Sequence, residues 1–135
     1  ADCKILLDIN NIYVSGVNHR FDPVRYIDSV PADRVVQFHL AGHSVRKDSG
    51  REGFLLDTHD HPVIPPVWNL YRHAIKRFGP VTTLIEWDAK IPPLSRLVGI
   101  ADRARTIFEE TYGRGSRTIP APRDPDAPLA AHYGA

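Results

Sequence analysis

The chain has 135 residues, a charged fraction of 24% and a formal net charge of +1. This length suits one domain with a real core, and the near-neutral charge gives no general case for binding nucleic acid or an anionic membrane. No apolar run approaches the roughly 20 residues that span a bilayer. The single cysteine, Cys3, excludes an intrachain disulfide and suits the reducing cytoplasm. We interpret it as a small buried residue at the start of a strand.

The first predicted element is a strand in the run CKILLDINN. Its apolar residues are nearly continuous from Ile5 to Ile9, which is typical of a strand buried on both faces in a parallel sheet. Asp8, Asn10 and Asn11 stand at its carboxyl end. A short mixed segment follows. The sequence DPVRYIDSV then predicts a short helix with an aspartate N-cap and proline at the first helical position.

The next predicted strand runs from Val35 to Leu40, and a polar, glycine-bearing loop over residues 44–53 follows it. FLLDTH predicts the third strand, over residues 54–59, and the run from Val81 to Asp88 predicts the fourth. Two proline pairs open helices, the first from Pro65 to Gly79. The apolar stripe of the second helix consists of Leu94, Leu97, Val98, Ala101, Ala104, Ile107, Phe108 and Tyr112. Residues 114–135 are rich in proline and alanine and predict an extended or disordered tail.

This order of strands and helices predicts parallel strands joined by right-handed crossovers. Four β/α units make half of a (β/α)8 barrel, whose functional residues cluster at the carboxyl ends of the strands. We therefore predict an α/β, TIM-barrel-like half barrel over residues 1–113. Each predicted strand also ends in polar residues of the kind that bind metals.

Alternation along a strand indicates which of these polar residues share a face. The predicted set comprises Asp8, Asn10, His39, Asp57, His59 and Glu86. Such nitrogen and oxygen donors suit iron, manganese or zinc, and the absence of thiolates argues against a structural zinc site. The sequence therefore predicts a metal centre at the mouth of the barrel.

Other interpretations stay open at several positions. Asp57 and His59 fit a turn with a solvated histidine about as well as a metal site, and His39 alone suits a hydrogen-bonded core histidine. Glu86 has fewer alternatives, because a carboxylate in an apolar run needs a partner or a metal. His43 and His61 lie one step beyond the strand ends, where they either support the site, contact substrate or belong to a solvated loop.

Four sequence blocks, together spanning about residues 3–108, resemble a known family. They read LLDINNIYVSGVNHRFDP, QFHLAGH, LLDTHDHPV and TLIEWDAKIPPL. They resemble the carboxyl-terminal half of the multinuclear non-haem iron-dependent oxidative enzymes, a family first described as uncharacterised that includes the methanobactin-biosynthesis oxidase. The resemblance implies a TIM barrel of the xylose-isomerase-like type with two or three iron ions at its mouth. It also implies an oxidoreductase that modifies cysteine residues of ribosomally made peptides, using dioxygen and a small partner protein that presents the peptide.

Carried over onto this sequence, the resemblance assigns metal ligands to the predicted strand ends. They are Asp8 with Asn10 or Asn11, His39, Asp57, His59 and Glu86. Alternation favours Asn10 over Asn11. His43 matches a residue of the family's HLAGH-type block.

The chain departs from the family by lacking the first half of the barrel, and it contains no methionine, even at position 1. We expect a fragment, because a half barrel leaves sheet edges and an apolar face open. The missing amino-terminal half or a second copy of the chain would then be its partner. Alternative functions are a metal-dependent sugar isomerase or hydrolase on the same barrel, or a piece that is inactive until it assembles.

Overall fold

The computed structural model describes residues 3–46 and 53–113. The strands are β1 (Ile5–Asp8), β2 (Val35–Leu40), β3 (Ser44–Arg46), β4 (Phe54–Leu56) and β5 (Thr82–Ile85). The helices are α1 (Ile9–His19), α2 (Pro23–Ser29), α3 (Pro65–Phe78) and α4 (Leu94–Tyr112), with a short 3-10 turn at Ala32–Arg34. Strands β1, β2 and β5 and helices α2, α3 and α4 confirm the sequence prediction. The predicted tail over residues 114–135 lies outside the described residues.

Strands β1, β2 and β5 form a parallel sheet with β2 in the middle. Asp8 pairs with His39, which in turn lies opposite Leu84. Because all three strands point the same way, their carboxyl ends meet at one edge of the sheet. The chain is therefore mixed α/β with a parallel sheet, as predicted.

The third predicted strand does not join this sheet. β4 is limited to Phe54–Leu56 and pairs antiparallel with β3. β3 lies in the segment predicted to be a loop. A parallel neighbour needs a crossover, usually a helix, and the polar sequence between β2 and β4 lacks the apolar spacing of one. The side-chain amide of Asn18 in α1 bonds both the N–H and the C=O of Leu55, each at 2.9 Å. The described residues therefore form three parallel strands, and the prediction of a fourth, over residues 54–59, is wrong.

Helix α1 begins one residue after β1 ends, where the sequence predicted a longer strand and a mixed segment. Asp8 is the N-cap, and its Oδ1 accepts a hydrogen bond from the Asn11 N–H at 2.7 Å. Ile9 and Ile12 are buried on the inner side of the helix. Asn10 consequently lies in the first helical turn, where the alternation argument for a strand does not apply.

One face of the sheet packs against the helices. Leu7 and Phe38 are buried there, and the Phe38 ring meets Tyr71 of α3 edge-on with centroids 6.1 Å apart. On the opposite face Leu6 and Leu84 remain 47% and 43% exposed. The predicted two-sided burial of the strands is therefore absent from the described structure.

The apolar stripe of α4 is also only partly buried. Ala104 and Ile107 contact the core, but Leu94 and Val98 are 74% and 48% exposed. Cys3 is exposed rather than buried, because it precedes β1 instead of lying in it. Among the described residues, no helix is both long and apolar enough to cross a membrane.

Candidate metal centre

The parallel sheet brings three of the predicted ligands to one edge. Asp8 is the last residue of β1, His39 lies opposite it in β2, and Glu86 follows β5 directly. The Glu86 N–H donates to the Leu40 carbonyl at 2.9 Å, which extends the ladder past the end of β5. His39 Nδ1 lies 2.9 Å from Glu86 Oε2. The shared face predicted from alternation holds for these side chains.

His59 reaches the same edge from outside the sheet. The Thr58 N–H donates to the Leu56 carbonyl, and His59 then adopts a left-handed backbone conformation, with φ of 48°. Its N–H donates to the Gly42 carbonyl at 3.1 Å, and its own carbonyl accepts from the Asp88 N–H at 2.8 Å. The turn considered from the sequence is present, but the His59 side chain is only 13% exposed and points among the strand ends.

His59 is surrounded by carboxylates. Its Nε2 lies 2.9 Å from Asp57 Oδ1 and 4.0 Å from Asp8 Oδ2. Its Nδ1 lies 3.3 Å from Glu86 Oε2 and 3.2 Å from Asp88 Oδ2. Asp8, His59 and Glu86 each offer a donor atom, and these three atoms lie within 4.8 Å of one another. This spacing brings three possible ligands around one point.

The His59 Nδ1 atom tests whether a metal fits this cluster. It is buried and has no hydrogen-bond partner among the described residues, because the two close carboxylate contacts lack hydrogen-bond geometry. A buried polar atom without a partner is costly and calls for an explanation. A cation beside the nitrogen and the carboxylates would satisfy it. The donor set of nitrogen and oxygen atoms therefore fits iron, manganese or zinc.

Electrostatics support the same interpretation. Burial opposes the charged form of His59, but nearby carboxylates outweigh it and raise the pKa of the imidazole; they belong to Asp57, Glu86, Asp8 and Asp88. Burial raises the pKa of Asp8, the Asn11 N–H partly offsets this, and the negative charge of Asp57 raises it again. Crowded carboxylates repel one another unless a positive charge lies among them.

Both asparagines contact Asp57. Asn10 is fully buried, and its Nδ2 donates to Asp57 Oδ1 and, at 3.4 Å, to the Gly42 carbonyl. Asn11 Nδ2 donates to Asp57 Oδ2 at 3.0 Å. His43 Nδ1 lies 2.9 Å from Asn10 Oδ1, and burial lowers the pKa of this imidazole. His43 is thus a buried neighbour of the site rather than a residue of a solvated loop.

His61 is not drawn into the cluster. Its side chain is 45% exposed, and its Nδ1 contacts Asp60 Oδ1 at 2.5 Å. Asp60 is nearly buried and also accepts hydrogen bonds from Thr58 and Lys90. Hydrogen bonds from the Lys90 ammonium and, to a smaller extent, from the Thr58 hydroxyl hold the pKa of the Asp60 carboxyl well below its usual range.

Three residues that shape the site were missed by the sequence interpretation. Asp88 was left out of the predicted ligand set, although it lies two residues after Glu86 and alternation could have placed it on the same side. Lys90 gave no local signal, because its partner Asp60 is 30 residues away. Gly42 is required by a close approach: a Cβ there would lie 2.0 Å from the His61 carbonyl oxygen.

A family model described as "RiPP precursor modification enzyme MbnB/TglH/ChrH" matches residues 1–109. The chain belongs to the MbnB/TglH/ChrH family. This confirms the resemblance drawn from the four sequence blocks. The matched region contains every residue of the cluster around His59.

Several relatives of this chain carry the name UPF0276 protein. The chain is 52% identical over 108 residues to the UPF0276 protein of Acaryochloris marina, 54% identical over 107 residues to that of an Anaeromyxobacter species, and 58% identical over 103 residues to that of Caulobacter vibrioides. These alignments cover 80%, 79% and 76% of this chain but 37%, 36% and 35% of the relatives. The chain therefore spans just over a third of the length of the curated relatives it matches.

Proposed function

We propose that this chain carries part of the metal centre of an iron-dependent oxidative enzyme that modifies cysteine residues of a ribosomally made peptide. The observation that carries the proposal is the buried His59 Nδ1, which lies among carboxylates without a hydrogen bond. The description of the matching family, a modification enzyme of precursor peptides, supports the substrate class. Because the chain spans just over a third of its relatives, the activity belongs to the proposal for the whole protein.

Five side chains would hold the metal in this proposal. Asp8, His59 and Glu86 offer donor atoms that lie close together, and His39 and Asp57 each contact a member of that trio. When bound there, iron would supply redox chemistry with dioxygen and attraction for a cysteine thiolate. Zinc or manganese would suit the same donors.

The surrounding residues prepare these ligands. The Asn11 N–H occupies Asp8 Oδ1, so that Oδ2, the atom nearer His59 Nε2, remains available for an ion. The two asparagine amides hold opposite oxygens of Asp57. Fixing carboxylates in this way before a cation binds reduces the ordering that binding must impose.

The proposal includes a larger barrel around this chain. Leu6 and Leu84 are half exposed on the sheet face that also carries Asp8 and His39, and in a TIM barrel this face points inward. The remaining strands would come from the rest of a full-length protein or from a second copy of the chain. The peptide substrate, presented by a small partner protein, would then meet the metal at the mouth of the barrel.

Metal analysis of the full-length protein, purified anaerobically, tests this function. We expect bound iron that is lost in His59→Ala and retained in His19→Ala, which removes an exposed histidine at the far end of α1. Exposure of the wild type to air should produce charge-transfer absorption. Wild-type protein without iron, or equal iron in both variants, contradicts the proposal. A colourless zinc or manganese protein would instead favour a metal-dependent isomerase or hydrolase.

A further inference from the structure

The buried pair of His43 and Asn10 has a defined hydrogen-bond direction. Asn10 Nδ2 faces Asp57 Oδ1 and the Gly42 carbonyl, and both of these oxygens accept hydrogen bonds. The amide NH2 group therefore belongs on that side, and Oδ1 faces His43 Nδ1 at 2.9 Å. Because an amide oxygen only accepts, His43 Nδ1 carries the hydrogen and donates it.

Asn10 is linked to His59 by two routes. Asp57 Oδ1, which accepts from Asn10, also lies 2.9 Å from His59 Nε2. The Gly42 carbonyl, which accepts from Asn10 at 3.4 Å, also accepts the His59 N–H at 3.1 Å. The Asn10 amide thus contacts Asp57, which neighbours the His59 side chain, and the Gly42 carbonyl, which binds the His59 backbone.

We propose that His43 and Asn10 are positioning residues, in which the His43 Nδ1–H fixes the Asn10 amide and that amide orients Asp57 and His59. This inference rests on the metal site proposed above. Without the His43 hydrogen, Asn10 Oδ1 is buried without a donor, which favours rotation of the amide away from its contacts with Asp57 and the Gly42 carbonyl. That rotation would release Asp57 from its present position. The proposal gives Asn10 a role other than the metal ligand predicted from the sequence.

A competing account is that His43 only fills space in the core. Its ring packs near Tyr13, with centroids 5.4 Å apart, and its side chain is buried. Two substitutions separate filling from hydrogen bonding. In His43→Asn the amide nitrogen takes the place of Nδ1, whereas in His43→Gln it takes the place of Nε2 and leaves Asn10 without its donor.

Anaerobic titration of the full-length protein with ferrous iron, in competition with a chelator, measures the effect. We expect His43→Gln to weaken iron binding by about 10-fold to 100-fold, the range for residues that support metal ligands, and His43→Asn to stay within about threefold of wild type. Asn10→Ala should weaken it as much as His43→Gln, and the double variant should be no weaker than Asn10→Ala. Equal losses in the two His43 variants, including loss of folding in both, overturn the proposal.

A second measurement does not depend on metal. In the metal-free protein, the Asn10 side-chain NH2 should be protected from hydrogen exchange in wild type and His43→Asn, and unprotected in His43→Gln. Equal protection in all three contradicts the positioning role. A wild-type protein that binds no iron but shows this pattern would overturn the proposed function alone.

Discussion

The Lys90 ammonium lies 2.5 Å from Asp60 Oδ2, and this ion pair joins the two segments that carry most of the site. One segment holds His59, and the other begins at Glu86. The Asp88 N–H bonds the His59 carbonyl between the same segments at 2.8 Å. The ion pair and the backbone bond together set the separation of His59 from Glu86.

Lys90→Met should therefore lower the affinity for metal while leaving the free energy of unfolding nearly unchanged. We expect the affinity for ferrous iron to fall by about threefold to tenfold, because a solvent-exposed partner supports the ligands only indirectly. Lys90→Arg should retain most of the affinity, since the guanidinium can still reach Asp60. Lys76→Met, at an exposed position of α3, is the control. An unchanged affinity in Lys90→Met would show that the ion pair does not position the site.

Gly42→Ala should destabilise the fold and disturb the site together. The added Cβ would lie 2.0 Å from the His61 carbonyl oxygen, and backbone cannot move aside as a flexible side chain can. We expect a loss of about 1–3 kcal/mol or more in the free energy of unfolding, measured by urea titration. Gly99→Ala in α4 meets nothing within 4 Å and should stabilise by up to about 1 kcal/mol. A neutral Gly42→Ala would contradict the close approach.

Tyr71 should make stability depend on alkaline pH. Burial raises the pKa of its phenol, although the hydrogen bond with Thr83 lowers it in part. The unfolded chain ionises this group near pH 10, while the folded chain retains the proton to higher pH. Its stabilising contribution is therefore complete below about pH 10 and is lost as pH rises through the folded pKa. The stability difference between wild type and Tyr71→Phe should shrink between pH 9 and 11, and a constant difference would contradict the shift.

The two faces of the parallel sheet should respond differently to truncation. Phe38→Ala removes a fully buried ring that contacts Tyr71, and we expect a loss of about 3–5 kcal/mol. Leu84→Ala removes a side chain that is 43% exposed on the other face and should cost about 1 kcal/mol or less. Chemical unfolding of both variants measures this contrast. Similar losses would mean that the face carrying Leu84 is covered in solution.

Much of the fold could be read from local sequence signals. Helix α3 was predicted from its opening proline pair and the closing Gly79, and both bounds hold. The common edge of Asp8, His39 and Glu86 followed from strand direction and alternation. These features depend on neighbours in the sequence or on one repeated geometry.

The rest depends on contacts that a local pattern does not specify. The short apolar run of β4 pairs with β3 instead of joining the parallel sheet, and tertiary contacts rather than local sequence determine this pairing. His59 reaches the cluster through a turn and a left-handed conformation, so counting alternate residues from Leu55 placed it near the right site for the wrong reason. Asn10 was misassigned to a strand because Ile9 extends the apolar run of β1 while already belonging to α1.

The two-stranded sheet of β3 and β4 gives the site an unequal construction. Asp8, His39 and Glu86 lie on the parallel sheet or directly after it, whereas Asp57 and His59 follow a pair of three-residue strands. An isolated pair of short strands opens more readily than a central sheet. A ligand that binds the closed form alone protects it in proportion to its concentration. A cation shared by both elements would therefore slow hydrogen exchange at the amides of β3 and β4 far more than at those of β2, which we expect to be well protected without it.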